Sequence, residues 1–138
     1  MCCFTLVRTR ALGNRRFDEK LPLYGWLEDL DLTNQLMREG VLLRLDRLVG
    51  AHRGIKAGRT SGVRLGYSQI ANAIYLIRKG TAPKRPMYEN IMKYLTVNMI
   101  RSVRPEPFID RRGRLKGNLV GLLDILRGRS RPDRILEL

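Results

Sequence analysis

The sequence predicts a mostly α-helical protein: a single compact domain of four to five helices, with a glycine-rich basic loop and at most a small two-stranded β element. Apolar residues recur at intervals of three and four in several windows, which is the spacing of helices packed on a core. Gly and Pro residues separate these windows, where helices end. The chain has 138 residues, 43% of them hydrophobic and 29% charged, which suffices for one core. We therefore expect one domain over residues 1–138, with an arm at 1–16, a helical core at 17–128 and a basic tail at 129–138.

The first half of the chain predicts two helices. A short helix ends near Leu32, and a long one covers Thr33–Val49, where apolar residues keep helical spacing up to Leu48-Val49. Gly50 suits the position just after a helix, because glycine adopts the left-handed conformation that often follows the last turn. Trp26, the only tryptophan, is expected to anchor the core rather than to stack on a base.

The middle of the chain predicts a short strand and a helix. Val63, Leu65 and Tyr67 alternate with polar or small residues, a pattern typical of a strand that could pair with residues 3–8. Ser68 is a favourable N-cap for a helix from Ser68 to Lys79, and Gly80 follows its last residue.

Two further helices are expected towards the end of the chain. Pro86 suits the first position of a helix that fades around Ser102, and Asn118 can cap a last helix that reaches Leu126. Residues 101–116 between them are rich in Arg and Pro and are expected to form a connector. The apolar stripes of all these helices predict a core made of Trp26, Met37, Val41, Leu45, Leu48, Ile70, Ile74, Ile77, Ile91, Tyr94, Leu95, Leu119, Leu122 and Leu126.

The charge balance indicates which partners the protein can bind. The formal net charge is +14 and the pI about 10.9, so the chain attracts polyanions: nucleic acid, an anionic membrane or an acidic protein. Residues 1–50 hold 8 basic and 7 acidic side chains, and residues 51–138 hold 19 and 6. The 21 arginines outnumber 6 lysines, which favours phosphate contacts because the guanidinium group is a planar, multi-donor fork. A GC-rich or overlapping coding sequence would give the same bias.

The longest stretch without an acidic residue runs from Arg47 to Tyr88, and it contains the candidate nucleic-acid contacts. Its glycine-rich loop, residues 50–62, lacks the Gly-Lys-Ser/Thr of a Walker loop, but its backbone amides could still cradle phosphates. A solvated loop without a ligand is the alternative. The candidate contacts in this stretch are Arg47, Arg53, Lys56, Arg59, Arg64, Arg78, Lys79, Lys84 and Arg85. The Arg-rich connector adds Arg111, Arg112 and Arg114.

Cys2 and Cys3 are the only cysteines, which favours a reducing compartment such as the cytoplasm or the nucleus or nucleoid. Two cysteines at the N-terminus, followed by apolar and basic residues, could also carry lipid chains. No run reaches the roughly 18 apolar residues that a membrane span needs. Association with a membrane would therefore be peripheral, through the basic face and acylated Cys2 and Cys3.

The residues that carry chemistry do not form a catalytic pattern. His52 is the only histidine and lies in the basic loop, and no metal-ligand spacing occurs among the Cys, His and acidic residues. None of the four serines lies in a nucleophile-elbow sequence. We expect neither enzymatic activity nor a cofactor.

Two segments resemble parts of known families. Ile77-Arg78-Lys79-Gly80, with Pro86, Glu89-Asn90-Ile91 and Tyr94-Leu95, resembles the closing part of helix-turn-helix repressor domains, although the spacing before Gly80 departs from theirs and residues 50–62 have no counterpart. Tyr67-Ser68 with Lys84-Arg85-Pro86-Met87-Tyr88 resembles part of the matrix proteins of rhabdoviruses, over about a fifth of the chain.

The sequence thus predicts a small, basic, non-enzymatic protein that binds nucleic acid, RNA or DNA, through phosphate contacts. One alternative is a peripheral membrane or matrix-type protein on anionic lipid. The other is a viral or phage accessory protein that binds an acidic protein partner. The oligomeric state stays open.

Overall fold

A computed structural model describes residues 5–43 and 61–138. Five α-helices and one 3₁₀ helix form in these ranges, and no strand occurs in them. In chain order they are α1 (Thr9–Leu12), α2 (Glu28–Leu36), α3 (Gly62–Lys79), α4 (Lys84–Val103), α5 (Arg111–Leu126) and the carboxyl-terminal 3₁₀ helix (Pro132–Glu137).

The central helix is α3, and it is buried around most of its circumference from Leu65 to Ile74. It begins where the Ser61 hydroxyl accepts a hydrogen bond from the Arg64 amide at 3.3 Å. It ends at Gly80, which has a φ of 78° and adopts the left-handed conformation available to glycine. A helix that is apolar and buried on all sides is expected to be surrounded by the other elements.

α4 returns antiparallel along α3 after the turn at residues 80–83. Met87 and Ile91 of α4 pack in one buried cluster with Ile70 and Ile74 of α3. Near the far end of the pair, the Asn98 side chain donates a hydrogen bond to Gln69 at 3.1 Å. The two helices therefore form a hairpin that is packed along its length.

α5 runs parallel to α3 and lies against it through glycines. A Cβ atom added to Gly117 would lie only 2.7 Å from the Tyr67 amide nitrogen, and one added to Gly66 only 2.8 Å from the Arg114 Cα atom. Gly121 lies opposite the Ile70 side chain one turn further on. Glycine is required here because any side chain would push the two backbones apart.

The ends of the chain cover α3. In the amino-terminal segment Leu21 is buried in the main core cluster, and the Asn72 side chain donates to the Trp26 carbonyl at 2.9 Å. At the other end Ile135 of the 3₁₀ helix packs against Tyr67 and Ala71 with 2% of its surface exposed. The apolar end of the chain thus docks on the domain.

The predicted fold class is confirmed, since four main helices pack into one compact α-helical unit. The predicted strand is wrong, because residues 62–67 form the first turns of α3 and residues 5–8 are not extended in a ladder. Their alternating pattern arises because α3 is buried all round, so that apolar residues occur on every side.

Of the predicted helix Thr33–Val49, only Thr33–Leu36 are helical in the described part, as the last residues of α2, and the prediction is wrong beyond Leu36. α2 ends at Leu36, and Val41 and Leu43 are 87% and 75% exposed. The backbone turns at Met37–Glu39, where the Glu39 amide donates to the Leu36 carbonyl, and Glu39 then forms an ion pair with Arg15. Residues 44–60, including Leu45 and Leu48, lie outside the described residues.

α4 begins at Lys84, two residues before the expected Pro86, and the last helix also begins earlier than expected, at Arg111 instead of Asn118. Asp110 caps it by accepting a hydrogen bond from the Gly113 amide at 2.7 Å, and Asn118 is fully buried in its middle. Several expected core residues are corrected as well: Met37, Val41, Leu119 and Leu126 are exposed, and Trp26, Ile77, Tyr94, Leu95 and Leu122 are only partly buried. Ile70, Ile74 and Ile91 are buried as predicted.

Candidate nucleic-acid interface

Six of the predicted site residues lie outside the described residues: Cys2, Cys3, Arg47, Arg53, Lys56 and Arg59. The glycine-rich loop with His52 falls in the same range, except for Ser61 and Gly62. Phosphate contacts from this loop and lipid attachment at Cys2 and Cys3 therefore stay predictions.

Lys79 is committed to contacts within the protein. Its Nζ atom lies 2.6 Å from an Asp18 carboxylate oxygen and 2.7 Å from one of Asp31, whose side chain is 1% exposed. Burial lowers the pKa of Lys79, but hydrogen bonds to Asp18 and Asp31 outweigh it, so that the pKa lies above its usual value. Lys79 therefore links the amino-terminal segment to the end of α3. Two carboxylates already neutralise its charge, so it is a poor contact for an external phosphate.

Arg111 is committed in the same way. Its guanidinium donates twice to the Glu106 carboxylate, at 2.7 Å each, and once to the Asn98 side chain at 3.2 Å. This bidentate contact, together with a hydrogen bond from Arg101, holds the pKa of Glu106 well below its usual range. Arg111 thus fixes the loop between α4 and α5.

Asn98, which Arg111 contacts, belongs to a buried amide network between the three long helices. The Asn98 Nδ2 atom donates to Asn118 at 2.8 Å and to Gln69 at 3.1 Å, and Asn118 donates to the Gly66 carbonyl at 2.7 Å. All three side chains are at most 4% exposed. The network fixes the register of the bundle, since each amide finds its partners in one arrangement only.

The other predicted contacts fall at two ends of the bundle. Arg64, Arg112 and Arg114 lie at the start of α3 and of α5. There the Arg64 Nε atom donates to the Leu138 carbonyl at 2.8 Å, and Arg112 donates to the Ser102 carbonyl at 3.1 Å. The Arg64 and Arg112 guanidinium groups thus contact backbone oxygen atoms of the protein.

The opposite end of the bundle gathers exposed cations from three helices. Arg78 lies in the last turn of α3, and Lys84 and Arg85 lie in the first turn of α4. Arg127 and Arg129 follow α5, and the Arg78 side chain reaches the Ser130 carbonyl beside them at 3.5 Å. We call these five exposed residues the turn end.

Acidic residues neutralise little of the turn end. Arg85 forms an i,i+4 ion pair with Glu89, but its side chain is 91% exposed, so water weakens the attraction. Asp18 and Asp31 are both engaged by Lys79. In the described part of the chain no carboxylate forms an ion pair with Arg78, Lys84, Arg127 or Arg129 within 4.0 Å.

The backbone at the turn end also suits an anion. α4 begins after Pro83 without a hydrogen bond from a capping side chain and without an acidic residue in its first turn. The amides of Lys84 and Arg85 therefore lack a partner from a capping side chain and carry the positive end of the helix dipole, whereas Pro86 has no N–H group. The last carbonyls of α3, by contrast, accept hydrogen bonds from the amides of Gly80, Thr81 and Ala82.

The structure thus brings Arg78, Lys84 and Arg85 together with two residues that the candidate set lacked. Arg127 and Arg129 belong to the sequence Arg127-Gly128-Arg129, and bases on either side of a helix-terminating glycine were the available signal. Their proximity to residues 78–85 depends on α5 running parallel to α3, which no local pattern indicated.

Searches for related proteins give no match to a protein family, a curated protein or a solved structure. Within residues 5–43 and 61–138 no helix is long and apolar enough to cross a membrane. The same residues contain no group of three or more His, Cys, Asp or Glu side chains placed to hold a metal ion.

Proposed function

We propose that this protein binds nucleic acid through the turn end. The observation that carries the proposal is the clustering of Arg78, Lys84, Arg127 and Arg129 on an exposed surface without carboxylate partners, beside the uncapped start of α4. Cations that are exposed and already held apart by three helices can contact several phosphates of one strand. The formal net charge of +14 adds long-range attraction for a polyanion.

The chemistry of such contacts gives affinity without much sequence information. Arg and Lys side chains and free helix amides bind phosphate oxygens, whereas base edges require a groove-reading element. Gln69 and Asn72 of α3 are buried, so α3 cannot lie in a groove as a recognition helix. Binding is therefore expected to tolerate changes of sequence.

The salt dependence of binding tests the proposal. Fluorescence anisotropy of labelled single-stranded and duplex oligonucleotides is measured between about 50 and 200 mM salt. Five phosphate contacts predict a slope of about −4 for log K against log salt concentration. A flat plot would contradict the proposal.

A charge-matched pair of variants tests the location. The turn-end variant carries Lys84→Gln, Arg127→Gln and Arg129→Gln. The opposite-end variant carries Arg104→Gln, Arg112→Gln and Lys116→Gln. All six residues are exposed, so both variants are expected to fold. Anionic vesicles, added as competitors, test the peripheral-membrane alternative: displacement of the oligonucleotide by vesicles at equal charge concentration would favour lipid.

A further inference from the structure

α4 carries two parallel rows of side chains: one is buried against α3, and the other, which is apolar, contacts the core only through Leu95. Met87, Ile91 and Asn98 face α3 and are buried. The second stripe is displaced by one residue and consists of Tyr88, Met92, Leu95, Met99 and Val103. Leu95 is partly buried, and the other four are between 50% and 76% exposed. Within the described residues, an apolar stripe of about four turns, roughly 22 Å long, is thus left largely exposed.

α5 repeats the arrangement. Its glycines face α3, whereas Leu115, Leu119, Leu122 and Leu126 form a second stripe with the spacing four, three, four. Leu119 and Leu126 are 50% and 83% exposed, and Leu123 beside them is 47% exposed. The stripe on α4 has the same spacing from Tyr88 to Met99. Apolar residues repeated at 3.5-residue intervals are typical of helices that pack on another helix.

The two stripes border one groove. α4 and α5 are antiparallel neighbours, since Asn98 contacts Asn118 and Arg112 contacts Ser102. Leu95 and Leu122 both pack at the edge of the core cluster, one from each helix. On each helix the exposed residues three before and four after this leucine lie within about 60° of it. The exposed apolar residues that border this groove form what we call the α4–α5 face. They are Tyr88, Met92, Met99, Val103, Leu119, Leu123 and Leu126.

The charge around the α4–α5 face selects the occupant. Arg112 and Lys116 lie beside the α5 stripe and are exposed, whereas Lys93 lies about 160° around α4 from Leu95 and Arg104 follows the end of the helix, so both are turned away from the groove. The acidic residue within α4 is Glu89, and it already forms an ion pair with Arg85. A second copy of this chain would place the same cations against the cations of the first copy. It would also carry a further charge of +14. An acidic partner instead gains attraction to Arg112 and Lys116 along α5.

We propose that the α4–α5 face binds an acidic amphipathic helix of a partner protein. The apolar side of that helix would insert between the stripes of α4 and α5, completing a three-helix packing like that of a coiled coil. Its Asp and Glu residues would face Arg112 and Lys116 beside the α5 stripe. The α4–α5 face shares no residue with the turn end, so different substitutions test the two interactions.

The test uses a labelled synthetic peptide of roughly 16 residues, long enough for four helical turns. It carries Leu at the spacing four, three, four and Glu at the flanking positions. One control peptide has the same composition with the Leu residues moved off that spacing, and a second has Lys in place of Glu. Fluorescence anisotropy with the full chain is expected to show binding of the first peptide and at least about tenfold weaker binding of both controls.

Variants locate the binding on the protein. Met99→Ser with Leu119→Ser is expected to weaken peptide binding at least about tenfold, because both side chains would lose their apolar contacts. Leu6→Ser with Leu136→Ser, at sites 79% and 56% exposed, is expected to change it less than about twofold. The turn-end variant should keep peptide binding while losing oligonucleotide binding, which separates a failure of this proposal from a failure of the proposed function.

Three results would overturn the proposal. Equal binding of the composition-matched peptide would show that charge alone suffices. A wild-type dimer in sedimentation that Met99→Ser with Leu119→Ser converts to monomer would assign the face to a second copy. Flotation with vesicles containing anionic lipid that is lost in the same variant would assign it to a membrane.

Discussion

Replacing Gly117 by Ala tests the packing that organises the domain. In an unconstrained helix Gly→Ala stabilises by about 1 kcal/mol, because glycine loses more conformational entropy on folding. Here the added methyl group would fall on the Val63 carbonyl and 2.7 Å from the Tyr67 amide nitrogen. Both are backbone atoms within α3, so α3 and α5 would have to move apart.

The magnitude follows from what that movement disturbs. Overpacking a close contact costs typically about 1–3 kcal/mol. Separation would also strain the hydrogen bonds of Asn118 to Gly66 and Gln69, each worth about 1 kcal/mol net. Subtracting the propensity gain leaves a loss of about 2–4 kcal/mol in the free energy of unfolding. Against a typical total of roughly 5–15 kcal/mol, such a loss is easily measured.

Urea denaturation followed by circular dichroism measures the effect, with two controls. Gly121→Ala places its methyl group 2.9 Å from the Ile70 Cβ atom, a side-chain contact, and is expected to cost less than Gly117→Ala. Gly40→Ala meets nothing within 4 Å and should change stability by less than about 0.5 kcal/mol. A Gly117→Ala protein as stable as wild type, or more stable, would refute the close contact between α3 and α5.

Two further predictions concern buried polar groups. Asn118→Ala removes hydrogen bonds to Gly66, Gln69 and Asn98 and leaves their buried groups unpaired. Thermal or urea unfolding should therefore show a loss of about 2–4 kcal/mol in the free energy of unfolding. A loss below about 1 kcal/mol would contradict the network. Burial and the nearby Asp124 raise the pKa of Tyr67 to about 12, so its contribution to stability is complete below pH 10 and is lost as the pH rises from about 10 through 12. Urea titrations at several pH values measure the stability difference between wild type and Tyr67→Phe. This difference should shrink over that pH interval. A constant difference would count against a buried neutral phenol.

The sequence supported the fold class because local signals agreed with it. Ile70, Ile74 and Ile91 keep helical spacing and are buried, and Gly80 adopts the left-handed conformation that ends α3. The prediction of a long helix from Thr33 failed after Leu36: Met37 and Val41 have helical spacing, but both are exposed. Periodicity shows which residues a helix would place on one face, but not whether a partner exists for that face.

The start of α5 was missed because residues 111–117 are rich in Arg and Gly, a composition typical of a connector. The available signal was the interval of four residues between Gly113, Gly117 and Gly121, matched by Gly62 and Gly66 in α3. Small residues at this interval allow two helices to approach closely. A helix that begins only at Asn118 would leave Gly113 and Gly117 outside it, so the predicted cap is incompatible with that pattern.

The candidate site could be predicted in composition but not in arrangement. Exposed bases near residues 78–85 were identified from the acid-free stretch, whereas the roles of Lys79 and Arg111 were not. Lys79 meets Asp18 and Asp31, which lie 61 and 48 residues away, and such partners are set only by the tertiary fold. The sequence does not predict the α4–α5 face either. Leu119 and Leu126 have the spacing of core residues, and only the tertiary fold shows that they are exposed.

The most direct test of the proposed function compares the turn-end variant with the opposite-end variant in oligonucleotide binding. Each lowers the formal net charge of +14 by three, so nonspecific attraction falls equally in both. The turn-end variant is expected to bind at least about tenfold more weakly than wild type at roughly 100 mM salt, with a slope of log K against log salt less negative by about 2–3. The opposite-end variant is expected to stay within about threefold of wild type. Equal losses in the two variants would contradict a nucleic-acid site at the turn end.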